Sequence, residues 1–346
     1  MRGLVFEGAG EVLVVDGLPE PRIEAATDAL VAVEAAGLCG SDLHPYLGAE
    51  PAGIGVVPGH EAVGRVLEVG AQVTAYRPGD RVLVPFSTSC SACEACRRGV
   101  TARCSRGQLF GWGPPEAPQR GLDGAQAERL RVPLADSTLV AVPDHLDEPT
   151  AVLCTDNLPT AWEAVERTGL APGAAASVVG LGAVGLCAIA AARARGAQRI
   201  IAVDPVADRR ERALQLGADV ALSPEAATDT APVTCVVEAA GTPAAQSLAV
   251  GMTAPGGTCS VIAVQTTQRF AVTAIEAYDR NLTLAFGRAS VRRTLPAVLA
   301  ALRTGGLASP AGVCVTHPDV PLVEGPEAYR RFAAREPGVV KMLLRP

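Results

Sequence analysis

Residues 37–44, GLCGSDLH, set a cysteine, a serine, an aspartate and a histidine within six positions of a chain that holds only four histidines. A thiol and an imidazole bind borderline metal ions, while a hydroxyl and an imidazole can hand a proton along. Metal or acid–base chemistry is therefore within reach of this octapeptide. A second histidine, His60, follows in PGHEAVG with Glu61 beside it. Taken singly, Cys39 suits a core as a small apolar residue, His60 suits a buried position with one satisfied partner, and Asp42 suits a turn.

A separate segment, CSACEACRRGVTARC, spaces Cys90, Cys93, Cys96 and Cys104 as two two-residue gaps and one gap of seven. Two-residue gaps let neighbouring thiolates converge on one ion, and a fourth closes a tetrahedron. Such a closed shell leaves no position for substrate, so the zinc it predicts is structural. An iron–sulfur cluster wants a shorter last gap followed by proline, a redox pair needs only two thiols, and free buried thiols remain the plain alternative.

Further on, VVGLGAVG carries GxGxxG at Gly180, Gly182 and Gly185 after an apolar strand and at the opening of a helix that begins Ala183, Val184. The first glycine permits the tight turn, the second admits a pyrophosphate to the backbone, and the third lets helix and strand pack closely. Asp204 closes a second strand, RIIAVD, about twenty residues later, where an acid accepts from an adenosine ribose. A carboxylate there repels a 2′-phosphate and favours NAD. Arg209 and Arg210 nearby keep NADP open, their alternative being a solvated helix face.

These groups need a scaffold. Up to about residue 145 the chain reads as short β runs, ALVAVEAAG, VGRVLEVG and DRVLVPF among them, broken by Gly, Pro and Asp turns. From about residue 160 helices and strands alternate, which predicts a doubly wound parallel sheet in an α/β chain. The expected domains are 1–155, a β module with the four-cysteine lobe; 156–287, the dinucleotide-binding domain; and 288–346, a helix (RRTLPAVLAALRTGG) and a strand (GVVKMLLRP) returning to the first module. The Pro/Gly-rich stretch at 111–124 reads as a loop or lid. A formal charge of −6 with scattered arginines gives no stripe for a nucleic acid. Residues 174–192 are apolar enough for a membrane span, but their three glycines fit strand, turn and helix better. The N-terminal residues lack the apolar core of a signal peptide, so the expectation is a cytoplasmic protein with reduced thiols.

In their order and spacing GLCGSDLH, VPGHEAVGRV, PGDRV, the four-cysteine lobe, GAQAERLRVP, VVGLGAVG and VDP resemble the zinc-dependent medium-chain alcohol dehydrogenases. CTDNLPTAW and DGAQAERLRVP lean toward the formaldehyde, threonine and sorbitol dehydrogenase-like branch. The resemblance implies a GroES-like β-barrel catalytic domain joined to a Rossmann domain, and two zinc ions per chain, one catalytic and one structural. Cys39, His60 and Asp156 would hold the catalytic ion, with Cys154 the alternative third ligand and Glu61 approaching during exchange. Ser41 and His44 would relay the proton. Thr160 and Arg209 would join Gly180, Gly182, Ala183, Val184, Gly185 and Asp204 around NAD. Asp42 would pair with Lys341, the only lysine of the chain, and Phe86, Trp112 and Leu109 would line the pocket.

The activity implied is hydride transfer between NAD(H) and a small alcohol and its aldehyde or ketone, by a homodimer or homotetramer. Two alternatives compete. A metal-free quinone or enoyl reductase would lack the Cys39, His60 and Asp156 set; a nucleotide-binding scaffold would have no need of Ser41 and His44.

Overall fold

Ten consecutive residues rich in Val, Ala and Leu make Ala29–Leu38 the longest strand among the described residues, and nearly all of it is buried. The computed structural model describes residues 1–50, 54–113, 121–266 and 269–346. The centre of the loop expected at 111–124 lies outside them. Contacts divide the chain into two units, one of Met1–Asp156, Ser290–Arg293 and Val315–Pro346, the other of Asn157–Ala289 and Thr294–Cys314.

In the first unit a seven-stranded sheet runs in the order His317–Pro321, Met342–Arg345, Ala29–Leu38, Ala62–Val69, Arg81–Val84 and Val140–Ala141, with Arg129–Val132 also paired to Ala29–Leu38. Val31, Val66, Val82, Val84, Leu130 and Phe110 pack into one core cluster. Leu4, Phe6, Leu38, Tyr329 and Met342 form another. Register matters most for the chemistry. Ala36 lies opposite Ala62, Ala62 opposite Val84, and Leu38 opposite Met342, all antiparallel. One sheet edge therefore collects the residues just after Leu38, just before Ala62, just after Val84 and just before Met342.

The second unit holds a six-stranded parallel sheet in the order Val220–Leu222, Arg199–Val203, Ala175–Val179, Val233–Glu238, Thr253–Val261 and Thr283–Phe286. Counted along the chain this is 3-2-1-4-5-6, the dinucleotide-binding order, with its switch point beside Ala175–Val179. Its central strands Ala175–Val179, Arg199–Val203 and Val233–Glu238 are largely apolar and buried because helices such as Ala183–Ala194 cover them. The apolar 174–192 segment is thus a strand, a turn and a helix. Among the described residues no helix is long and apolar enough to cross a membrane.

The helix Val291–Thr304 departs from the expected return to the first module, since from Thr294 onward it clusters with the parallel-sheet unit. Thr294 donates to Glu163 at 3.0 Å, and Arg212 donates to the Val313 carbonyl at 3.0 Å. Those bonds hold the segment to its own unit until Val315. Asp156, expected to open the nucleotide domain, clusters with the first unit.

Candidate active site

Antiparallel register assembles the site. The strand that ends at Leu38 delivers Cys39 to the edge from which His60 and Glu61 lead into the next strand, and Gly37 N–H extends the ladder to the Glu61 carbonyl at 2.9 Å. Phe86 N–H donates to the Thr155 carbonyl at 3.3 Å, which brings Asp156 to the same edge. Ligand atoms of Cys39, His60, Glu61 and Asp156 all lie within 4.8 Å of one another. Asp156 Oδ2 is 3.7 Å from Cys39 Sγ and 3.6 Å from His60 Nε2. A tetrahedral zinc with ordinary Zn–S, Zn–N and Zn–O lengths imposes edges of roughly 3.3–3.8 Å, so the donor set fits the ion. Cys154 is fully buried and outside this cluster, its thiol pushed up to about 12 by burial and then by Asp147.

The imidazole of His60 is aimed by its other nitrogen. Nδ1 lies 3.0 Å from Asp42 Oδ1, which leaves Nε2 for the metal. Burial opposes the imidazolium, but Asp42, Asp156 and Cys39 more than offset it and raise His60 well above its usual range. Metal binding must displace that proton. The Cys39 thiol is raised by burial and by Glu61. Ser41 Oγ stands 3.3 Å from Cys39 Sγ and 3.2 Å from His60 Nε2. His44 sits on the short helix Leu43–Tyr46, and its Nδ1 is buried without a hydrogen-bond partner among the described residues. Burial lowers its pKa, partly countered by Glu50 and Asp42. Phe86 is buried, its ring nearly perpendicular to that of His60 with centroids 6.4 Å apart. Leu109 is half-buried in a bridge to Ser87, and Trp112 is exposed.

The pairing of Asp42 with Lys341 is overturned. Asp42 Oδ2 accepts the Cys39 amide at 2.8 Å and Gln126 Nε2 at 3.4 Å, while Tyr329 donates to Gln126 Oε1 at 2.8 Å. Lys341 Nζ instead meets Glu61, 2.6 Å from Oε1 and 2.5 Å from Oε2. The reason is register. Lys341 precedes the residue opposite Leu38, and Glu61 is bonded to the neighbouring Gly37, so the ammonium reaches Glu61 first. Burial works against that ammonium, and Glu61 with Cys39 outweighs it, lifting Lys341 above its ordinary value. Gln126 and Tyr329, which buttress Asp42, were not singled out from the sequence. The available signal for Gln126 was a lone amide set between two alanines in DGAQAERLRVP.

The four-cysteine segment gathers as its spacing predicts, with Cys90, Cys93, Cys96 and Cys104 in one ligand cluster and every cysteine a free thiol. Cys93 Sγ and Cys104 Sγ are 3.9 Å apart, close to the ~3.8 Å edge of a zinc tetrathiolate. Backbone amides face the sulfurs: Cys93 N–H donates to Cys90 Sγ at 3.3 Å, Cys90 N–H to Cys104 Sγ at 3.2 Å, and Arg106 N–H to Cys104 Sγ at 3.4 Å. Amides of Ser105 and Cys96 draw the Cys93 thiol down to about 5, whereas burial and neighbouring thiols push Cys96 up to about 12.

In the parallel-sheet unit Gly180 takes φ +92°, and a Cβ on Gly185 would run into the Gly180 carbonyl. Gly182 caps the helix Ala183–Ala194, so free amides open toward the turn. Asp204 is buried at the end of Arg199–Val203, Oδ2 accepting Leu181 N–H and Oδ1 Val206 N–H, both at 2.8 Å. Each oxygen keeps a lone pair for a ribose hydroxyl. Arg210 donates to the carbonyls of Asp204 and Pro205. Thr160 is buried on the helix Asn157–Arg167, and Arg209 lies on Ala207–Gln215. The turn from Gly180 to Gly185 and the Asp204 carboxylate fit a dinucleotide.

Sheet order and ligand clusters define a class: a dehydrogenase that binds zinc and folds a Rossmann-type sheet. Residues 25–144 match the family model of the alcohol dehydrogenase GroES-like domain, and residues 183–304 that of the zinc-binding dehydrogenase. A probable zinc-binding alcohol dehydrogenase of Mycobacterium tuberculosis is 39% identical over all of this chain and 89% of its own. Alcohol dehydrogenase TADH from Thermus sp. ATN1 is 38% identical with a TM-score of 0.90, covering 100% of this chain and 99% of that one. A Sinorhizobium meliloti chain solved with NADP bound is 26% identical, TM-score 0.82, covering 100% and 99%. The chain belongs to the zinc-dependent medium-chain alcohol dehydrogenases, and is an oxidoreductase acting on alcohols.

Proposed function

We propose that the protein is an NAD-dependent enzyme that interconverts a small primary or secondary alcohol with its aldehyde or ketone, using a zinc held by Cys39, His60 and Asp156. The convergence of those three donors from three separated segments on one sheet edge is the observation that carries this reading. When bound, the zinc would polarise the substrate oxygen and the nicotinamide would exchange hydride with the substrate carbon. Asp42 fixes the His60 ring, and Phe86 stands in a T-shaped contact with the same imidazole. Ser41, one hydroxyl away from two ligand atoms, takes the substrate's proton, and His44, with a buried nitrogen lacking a partner among the described residues, passes it on.

For the cofactor, Asp204 supports NAD because its carboxylate meets an adenosine ribose and repels a 2′-phosphate. Arg210 is engaged with carbonyls of its own chain. The Cys90, Cys93, Cys96 and Cys104 cluster holds a structural zinc. The surroundings in which such thiols stay reduced are cytoplasmic, and a homodimer or homotetramer is the proposed assembly.

A panel of short alcohols and aldehydes, followed by NADH and NADPH absorbance, tests the reading. Turnover with NAD that is lost in Cys39→Ala, and a shift toward NADP in Asp204→Ala, are expected. Full turnover in Cys39→Ala would refute the metal assignment and favour the metal-free reductase.

A further inference from the structure

Glu61 is the fourth member of the ligand cluster, and its side chain is wholly buried. A buried carboxylate within reach of a divalent cation is drawn onto it unless another cation, equally dehydrated, competes. We infer that Gly37 and Lys341 build a pocket that parks the Glu61 carboxylate beside the metal position and so keeps the fourth coordination site free for substrate. This rests on the reading of Cys39, His60 and Asp156 as ligands of a catalytic zinc.

Two independent features carry it. Lys341 Nζ contacts both Glu61 oxygens, at 2.6 and 2.5 Å, with side-chain exposures of 1% and 0%. This is the only lysine in a chain whose other cationic side chains are all arginines and histidines. A compact ammonium places its whole charge on one point, which a planar guanidinium does not. Gly37, in the middle of that edge, has ordinary strand geometry, so its backbone does not demand glycine. A Cβ at that position would collide with Glu61 Oε2 and come within 3.0 Å of Cδ and 3.1 Å of Cβ of the same residue. The missing side chain is therefore room for Glu61. Pairing of Gly37 with Leu343 restrains the strand from yielding that room by moving. Lys341 is a positioning residue, acting on the metal only through Glu61.

The consequence is a difference between an open site and a closed one. Three protein ligands leave a position that alcohol can take, whereas a fourth from Glu61 would make the site resemble a structural one. The experiment uses full-length protein with cobalt(II) exchanged into this site alone and zinc retained at the four cysteines. Imidazole is titrated as the external ligand and read by the visible d–d bands. Lys341→Met and Gly37→Ala are each expected to weaken imidazole binding about tenfold or more, ~1.4 kcal/mol. Adding Glu61→Gln to either variant should restore the original affinity, and Lys341→Arg should keep part of the affinity that Lys341→Met loses.

Unchanged affinity in both single variants, or a double variant as weak as the single one, overturns the inference. If Lys341→Met does not fold, the Gly37→Ala pair, with and without Glu61→Gln, decides by the same criterion. Loss of the ligand assignment looks different: the thiolate-to-cobalt band of this site would then survive Cys39→Ala.

Discussion

Asp42 is the residue through which two ligands are fixed at once, and Asp42→Asn separates geometry from charge. In the native site Oδ2 accepts the Cys39 amide at 2.8 Å while Oδ1 faces His60 Nδ1 at 3.0 Å. Both positions need an acceptor. An asparagine has one carbonyl oxygen and one amide nitrogen, so one contact must become donor against donor. If the amide nitrogen turns to His60, Nδ1 has to give up its proton, and the neutral ring then carries it on Nε2, where the metal must bind. If it turns to Cys39, the backbone amide beside the first ligand is left facing a donor. Either way a hydrogen bond to a charged group is lost, about 1.5–3 kcal/mol. At ~1.4 kcal/mol per decade this is a roughly 10- to 100-fold fall in zinc affinity at the catalytic site. Competition with a chromophoric chelator measures it, and the zinc at Cys90, Cys93, Cys96 and Cys104 serves as the internal control. Alcohol oxidation should fall at least in step at limiting zinc. An Asp42→Asn protein that kept both zinc ions with the original affinities would refute the claim that Asp42 sets the His60 tautomer.

Cys104→Ser should remove one zinc per chain and lower the melting temperature, leaving NAD fluorescence quenching intact; metal analysis and a thermal melt read both. Gly185→Ala, which would drive a Cβ into the Gly180 carbonyl, should cost about 1–3 kcal/mol by denaturant titration and weaken NAD binding. For Asp136, burial is the largest single influence and opposes the carboxylate, but the Thr74 and Ala75 amides together with the Thr74 hydroxyl outweigh it and hold its pKa below the usual range. A depressed folded value means the contribution is present above the unfolded pKa and fades as pH falls through the folded one. Asp136→Asn should therefore destabilise by under ~1 kcal/mol near pH 7, the carboxylate being exposed, and the gap should close below about pH 4. Urea melts at the two pH values measure it.

Local signals made much of this protein legible. The cysteine spacing alone predicts the four-thiol cluster, because its members lie in one short turn and need no distant partner. GxGxxG followed by an acid-ended strand predicts the turn at Gly180 and the place of Asp204, since strand, turn and helix are contiguous. Cys39, His60 and Asp156 were different. The types of Cys39 and His60 allow a ligand role, but Asp156 and the joining of all three come only from a resemblance, for nothing local says that residues 39, 60 and 156 meet.

Tertiary structure decided what depends on register. That Lys341 faces Glu61 and not Asp42 follows from Leu38 opposing Met342, a pairing between segments some three hundred residues apart. Gln126 and Tyr329 behind Asp42, and the space that Gly37 leaves for Glu61, likewise exist only once four strand ends share an edge. The helix Val291–Thr304 shows the same limit, because an amphipathic pattern states that one face is buried but not which unit buries it. Residue types and short spacings settle what chemistry is available; long-range pairing settles which of those groups act on one another.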